Sequence, residues 1–112
     1  MDEKLYNELL EDLKTELEDD VDFSESVLAV KVKNAIREVR RYRNYKASNF
    51  SEEDIVNDLY ENYYNTIYNV ALYDYSQIGA FGETQHSENG IQRTYQYRDR
   101  LFADVTPFVT FI

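Results

Sequence analysis

Glycine is confined to one short stretch of this sequence. All three glycines and the only histidine of the 112 residues lie between Gly79 and Gly90, in the run GAFGETQHSENG. Glycine is favoured where the backbone turns through positive φ or approaches a neighbour closely. The stretch follows a long tyrosine-rich helical pattern and precedes a strand-like one. The sequence therefore predicts a single irregular segment with a specific geometric role.

Three amphipathic helices are expected before this stretch. The first covers residues 3–18 and has its apolar residues at helical spacing: Leu5, Leu9, Leu10, Leu13 and Leu17. An acidic joint over 19–22 follows. The second helix begins at Asp22 or Ser24, either of which is a suitable N-cap, and runs to about Tyr45. Its apolar stripe comprises Leu28, Val32, Ala35, Ile36, Val39 and Tyr42.

The third predicted helix is the longest. Ser51 is its N-cap, and three acidic residues in its first turn oppose the positive end of the helix dipole. Gly79 is expected to stop it, as glycine does after the last periodic residue. Its apolar stripe comprises Ile55, Leu59, Tyr63, Ile67, Val70, Ala71 and Tyr75.

The pattern changes after the third helix. Asn89-Gly90 is favoured in tight hairpin turns, and the side chains of residues 91–97 alternate as in a strand. Pro107 restricts the apolar tail to an edge or a path outside a sheet. The predicted fold is mainly α, a small bundle of three main helices in one domain, 1–112. Its parts are a helical core over about 3–78, an extended loop or small β-hairpin over 79–98, and a C-terminal segment over 99–112 with a short helical turn at 98–104 and an extended tail.

The composition excludes several classes of protein. Without cysteine there is no disulfide framework, no thiolate metal site and no cysteine nucleophile. The acidic, amphipathic N-terminus is unlike a signal or transit peptide, and no apolar run approaches the length that spans a bilayer. We therefore expect a soluble protein. Its net charge of −10 argues against broad attraction to nucleic acid or to anionic membranes.

Motifs for catalysis and metal binding are weak. Glu83 and His86 have the Glu-x-x-His spacing of di-metal helix bundles, but such a site needs two copies of the motif on facing helices. Gly79 and Gly82 form no phosphate-binding or dinucleotide fingerprint, and no pair of carboxylates is singled out for acid–base chemistry. We expect no enzymatic activity, no metal and no cofactor.

Charge is divided between two blocks. Residues 2–25 hold 11 of the 22 acidic residues, and residues 31–46 hold 7 of the 12 basic ones. The blocks could pair within one molecule, or head-to-tail between copies. In the second case the candidate pairing residues are Glu11, Asp12, Glu16, Arg37, Arg40 and Arg41.

Two other functions are compatible with these blocks. The basic helix, with Tyr42 and Tyr45, has the cations and aromatic rings of a nucleic-acid-binding regulator. Alternatively, the acidic first helix docks on a basic partner, as in a toxin–antitoxin or other small interaction module. Charge alone does not separate this module from an assembly protein.

The glycine-containing stretch resembles a family signature. Residues 78–83 (IGAFGE), 86–91 (HSENGI) and 93–95 (RTY), followed by Leu101 and Pro107, resemble small head–tail connector proteins. These proteins are adaptors of long-tailed double-stranded DNA phages. Phe81 departs from the small or acidic residue that the signature has at this position.

The resemblance implies a structural virion protein of the head–tail interface, assembled in the bacterial host cytoplasm. It would bind the portal protein, form a ring with neighbouring copies and provide a platform for the stopper or tail-completion protein. DNA would pass through the ring without sequence-specific binding, and no membrane is involved. The portal and subunit contacts implied by position are Gly79, Phe81, Gly82, Glu83, His86, Ser87, Glu88, Asn89, Gly90, Ile91, Arg93, Tyr95, Tyr97, Phe108 and Phe111.

Three properties of the residues agree with such a ring. Opposite charge blocks suit a heterologous interface, an apolar tail suits strand addition to a neighbour, and an acidic channel wall repels DNA. Two roles remain open for the acids of the first helix. If Glu11, Asp12 and Glu16 lie in the interface, their reversal to lysine blocks assembly; if they line the channel, rings form but retard DNA.

Overall fold

The structure, a computed structural model, describes residues 3–82 and 98–109, except for the side chains of 78–82. Four α-helices occur in these residues: α1 (Glu3–Glu16), α2 (Glu25–Arg43), α3 (Glu52–Asn62) and α4 (Tyr64–Gly82). A 3-10 turn, Tyr45–Ala47, follows α2. Hydrogen bonds between residues three apart form the expected helical turn over 98–104. The described residues contain no strand, so the mainly α prediction is confirmed.

The ends of α2 are set by its capping residues. Ser24 is the N-cap, and its hydroxyl accepts a hydrogen bond from the backbone N–H three residues later. Asn44 ends the helix in the left-handed conformation with φ 58°, which asparagine tolerates better than most residues. Its N–H donates to the carbonyls of Arg40 and Arg41, so this helix end is satisfied by backbone groups of its own chain.

The predicted third helix is in fact two helices. α3 begins at the Ser51 cap, where Ser51 and Asp54 form a capping box, and it ends before Tyr63. Tyr63 leaves the helical conformation with φ −125° and ψ 12°, and its ring is buried at 7% exposure. The Arg43 guanidinium lies 5.4 Å from the centre of that ring. The pattern missed the break because the apolar stripe continues through it, and tertiary contacts overrode the local helix preference.

Gly79 does not stop the last helix, which was the second error of the sequence prediction. α4 continues to Gly82, and a glycine inside a helix costs only about 1 kcal/mol relative to alanine, so it does not have to end one. The irregular segment therefore does not include 79–82. The loop or hairpin expected over 83–97 lies outside the described residues.

α2 is the centre of the bundle. It packs along α4 and against α1, α1 also contacts α4, and α3 packs on α4. Most residues of the predicted stripes are buried, but Leu10 and Leu17 are only partly buried and Tyr42 is 43% exposed. The fully buried large side chains are Leu5, Leu9, Leu13, Leu28, Val32, Ile36, Val39, Leu59, Ile67 and Val70.

The C-terminal segment contributes to the same core. Phe102 and Val105 are buried at 4% and 7% exposure, and Phe108 packs against the core while partly exposed. From the sequence, the apolar tail was expected to be suited to strand addition to a neighbouring copy. Of its described residues 105–109, Val105 is buried and Phe108 is partly buried by the same chain, whereas Thr106, Pro107 and Val109 are exposed.

Replacement of a fully buried leucine tests this core. We expect Leu13→Ala to lower the free energy of unfolding by about 2–5 kcal/mol, because it removes buried apolar surface and leaves a cavity. Val21→Ala is the control: Val21 is 95% exposed, so its truncation should change stability by less than about 0.5 kcal/mol. Urea denaturation of both variants measures the difference, and similar values for the two would contradict this packing.

Candidate assembly interface

Residues 98–109 lie along the C-terminal half of α2. Phe102 stacks on Tyr42 with ring centres 4.3 Å apart. Further along, the Phe108 N–H donates to the Arg43 carbonyl at 2.8 Å, and the Asn44 side chain donates to the Phe108 carbonyl at 3.0 Å. Aromatic stacking and backbone hydrogen bonds therefore hold this segment on the helix.

Arg98 fixes the beginning of the segment. Its guanidinium donates two hydrogen bonds to Glu38 of α2, at 2.9 and 2.6 Å, and two to Asp74 of α4, at 2.7 and 2.8 Å. The hydrogen bonds that Arg98 donates to Asp74 and, to a smaller extent, to Glu38 raise the pKa of Arg98. All three side chains are partly buried, so water competes less for these charges than at an open surface.

The end of α4 and the Arg98 ion pairs are the described features on either side of residues 83–97. α4 ends at Gly82, and Arg98 is bound to Asp74 of that same helix. Eight residues of α-helix extend about 12 Å. Arg98 is therefore bound to α4 about two turns before the end of that helix.

A second charged cluster holds the other end of the C-terminal segment. The Arg43 guanidinium donates to Asp58 at 3.1 Å and to the Thr106 carbonyl at 2.6 Å, and it lies 3.9 Å from the Phe108 ring centre. The Tyr45 hydroxyl also donates to Asp58, at 2.5 Å. Burial opposes the charge of Asp58, but the bonds from Tyr45, Asn62 and Arg43 outweigh it and lower its pKa.

The acidic face of α1 is partly used inside the molecule. The Tyr60 hydroxyl donates to Glu8, and the Tyr64 hydroxyl donates to Asp12. Burial and the bond to Asp12 raise the pKa of Tyr64. These two hydroxyls attach α1 to α3 and α4, so Asp12 is occupied by its own chain.

The remaining candidate pairing residues fall into two groups. Arg40 is bound to Glu52 of α3 through two hydrogen bonds, at 2.9 and 3.1 Å, and Glu11 lies 3.3 Å from Lys14. Glu16, Arg37 and Arg41 are exposed, and none of them forms an ion pair with another described residue. The structure does not bring the acidic and basic candidates together within one chain.

Of the portal and subunit contacts implied by the resemblance, some lie in the described residues and the others lie outside them. Gly79, Phe81 and Gly82 lie in the last turns of α4. Phe108 is partly buried between the rings of Tyr45 and Phe50, at 5.8 and 5.1 Å between centres. The positions outside the described residues are Glu83, His86, Ser87, Glu88, Asn89, Gly90, Ile91, Arg93, Tyr95, Tyr97 and Phe111.

Two residues that matter here were not singled out from the sequence. Asp58 interrupts an apolar stripe between Ile55 and Leu59, and that position was a usable signal for a buried carboxylate with partners. Arg98 had no such signal. Its partners Glu38 and Asp74 are distant along the chain, and only the packing of α2 on α4 brings them together.

The described residues contain neither a membrane-spanning helix nor a cluster of metal-binding side chains. None of their helices has the length and apolarity to cross a bilayer. No group of three or more His, Asp or Glu side chains in these residues is placed to hold a metal ion. The Glu83 and His86 pair lies outside them.

The Arg98 ion pairs are tested by removal of their cation. We expect Arg98→Gln to lower the free energy of unfolding by about 1–3 kcal/mol, because Glu38 and Asp74 are left partly buried without their partner. Arg100→Gln is the matched control, since Arg100 is exposed. Thermal or chemical denaturation compares the two, and equal stabilities would show that the ion pairs contribute nothing.

The lowered pKa of Asp58 gives a pH-dependent prediction. Because its folded-state pKa lies below the ordinary value of 3.8, its charged form stabilises the fold above about pH 4 and this contribution is lost as the pH falls through the folded pKa. Asp58→Asn should therefore cost about 1–3 kcal/mol at neutral pH and progressively less below pH 4. Denaturation curves from pH 7 to 2.5, with exposed Asp99→Asn as control, measure this difference. A pH-independent difference would contradict the assignment.

Comparison with known proteins identifies the family to which this chain belongs. The family model described as "Phage gp6-like head-tail connector protein" matches residues 7–105. No curated protein and no solved structure matches the chain. The matched range includes α2, α3, α4, the larger part of α1, and Arg98 with the turn that follows it. The match extends over most of the sequence, so this chain belongs to the phage gp6-like head–tail connector protein family.

Proposed function

We propose that this protein docks on the portal vertex of a phage head and forms a ring there. The ring extends the DNA channel and provides the platform for the stopper or tail. The observation that carries the proposal is the family match over residues 7–105, because connector proteins join head and tail by contacts on both sides. The family is structural rather than enzymatic, so the function of the protein depends on the surfaces through which it contacts its partners.

The arrangement around Arg98 supports a portal contact through residues 83–97. A segment that must dock reproducibly benefits from fixed ends, since ordering a tethered chain costs less entropy than ordering a free one. Here α4 provides one end, and the ion pairs of Arg98 with Glu38 and Asp74 provide the other. In this proposal 79–97 carries the main portal contact. Residues 109–112 extend it, because Phe108 already contacts its own chain.

Channel formation is supported by the charge of the protein. With a net charge of −10, the ring presents an overall negative potential that repels DNA phosphates and does not retain the duplex. Among the exposed acids, Glu16 is free of described ion pairs and is available for this role. DNA would thus pass without sequence-specific contacts.

A row of exposed cations on α2 favours the second candidate function, nucleic-acid binding. Lys33, Arg37 and Arg41 are exposed on successive turns of one face. Against it, Arg40 and Arg43 of the same basic block are bound to carboxylates of α3. Salt-dependent DNA binding that is lost in a variant with all three cations changed to glutamine would favour this candidate.

Mixing this protein with the portal ring encoded by the same genome tests the proposed function. Native mass spectrometry should show a defined number of copies added to the intact portal. A variant with His86, Ser87 and Glu88 changed to alanine should lose this addition while its helical circular dichroism and melting temperature stay unchanged. Arg100→Gln is the surface control and should bind normally. If the intact portal takes up no copies, the connector role is wrong for this chain.

A further inference from the structure

The connection between α1 and α2 presents an apolar side chain among acids. Val21 is 95% exposed, and its exposed neighbours are Glu18, Asp19, Asp20 and Asp22. We call residues 18–22 the acidic turn. Its shape is defined, because the Asp20 carboxylate accepts the Asp22 N–H at 3.0 Å and the Asp20 carbonyl accepts the N–H of residue 23 at 3.2 Å.

An exposed valine alone carries no argument, since single apolar residues are common on protein surfaces. The acidic turn matters because of a pocket at the opposite end of α2. This pocket has a volume of about 430 Å³, and its lining residues are Arg40, Arg41, Asn44, Tyr45, Lys46 and Ile55. We call it the cationic pocket.

The cationic pocket combines an apolar surface with unneutralised charge. Tyr45 and Ile55 are buried residues of the core that contribute its apolar lining. Arg40 is bound to Glu52, whereas Arg41 and Lys46 are exposed and form no ion pair with another described residue. The pocket therefore suits an apolar side chain with carboxylates on either side of it.

The acidic turn cannot reach the cationic pocket of its own chain. The turn precedes Ser24, the N-cap of α2, and the pocket is formed around Asn44, its C-cap. A helix of 19 residues is about 28 Å long, so the two features are held apart by a rigid element. Each copy thus offers one feature at each end, which is the arrangement of a heterologous, head-to-tail contact.

We propose that the acidic turn of one copy occupies the cationic pocket of the next copy. Val21 contacts Tyr45 and Ile55, while the carboxylates of the turn lie against Arg41 and Lys46. The inference rests on the proposed function in that a ring requires one repeated contact between neighbours. It places that contact at the two ends of α2 and not on the face of α1 that carries Glu11 and Asp12.

The proposed contact between copies is expected to be weak, because it consists of exposed ion pairs and one valine. Exposed ion pairs contribute little individually, and one valine buries a small area, so free copies associate weakly. Copies held side by side on a portal meet at a much higher effective concentration, which makes a weak repeated contact sufficient. Ring formation would then depend on docking.

Disulfide cross-linking tests the contact directly, because the natural sequence has no cysteine. Val21→Cys and Lys46→Cys variants are mixed and oxidised, both free at high concentration and bound to the portal. A disulfide needs Cβ atoms roughly 4 Å apart, so a 21–46 cross-link reports insertion of the turn. The doubly substituted chain should give a ladder of cross-linked multimers.

The control uses an exposed valine that lies within a helix. Val30 is 52% exposed but lies within α2, away from the acidic turn and the pocket. A Val30→Cys chain mixed with Lys46→Cys should cross-link only at background level. If the 21–46 yield does not exceed this background in free or portal-bound protein, the proposal is overturned.

Charge reversal provides an independent measurement. Asp19→Lys with Asp22→Lys reverses the turn, and Arg41→Glu with Lys46→Glu reverses the pocket. Neither variant should associate with itself, and the loss should be about tenfold or more, because like charges then face each other. A mixture of the two should associate again, since each reversed feature meets its complement. Sedimentation at low salt measures this, and a mixture no better than its components would contradict the contact.

The outcomes separate this inference from the proposed function. A 21–46 cross-link in protein that does not bind the portal supports the contact and rejects the connector role. Portal binding without that cross-link supports the connector role and rejects the contact between the acidic turn and the cationic pocket. Failure of both measurements rejects both proposals.

Discussion

Burial of one face of α2 is the constraint on which the rest of the structure depends. Five of its side chains, from Leu28 to Val39, are buried against α1 and α4. With α2 fixed in this way, Glu38 meets Arg98 beside α4, and Arg43 meets Asp58 of α3. Apolar packing therefore sets the positions at which the charged groups pair.

Some charged residues form ion pairs within the fold, whereas others are exposed and available for contacts with other molecules. Arg40, Arg43 and Arg98 are bound to carboxylates of other segments and hold α3 and the C-terminal segment in place. The exposed cations Arg41 and Lys46, at one end of α2, and the acidic turn at the other end have no such role among the described residues. An assembly protein needs this division, because its interfaces must stay available while its own fold is satisfied.

Much of the fold followed from the sequence, because apolar spacing at helical period directly encodes the buried stripes of α1 and α2. The break at Tyr63 did not follow, since that residue belongs to the stripe and its conformation is set by distant contacts such as that with Arg43. The extension of α4 past Gly79 was missed because glycine disfavours a helix only modestly and does not always end one. For the candidate site, the signature stretch was enough to indicate the family. The ion pairs of Arg98 could not be predicted, because they arise only when the fold brings distant residues together.

A cryo-electron microscopy reconstruction of this protein on its own portal tests the central claim most directly. The account predicts a symmetric layer in which residues 83–97 face the portal and α2 of each copy lies end to end with its neighbours, so that the acidic turn meets the cationic pocket. A bare portal under conditions where it is intact, or a layer attached through a different face of the bundle, would contradict the account.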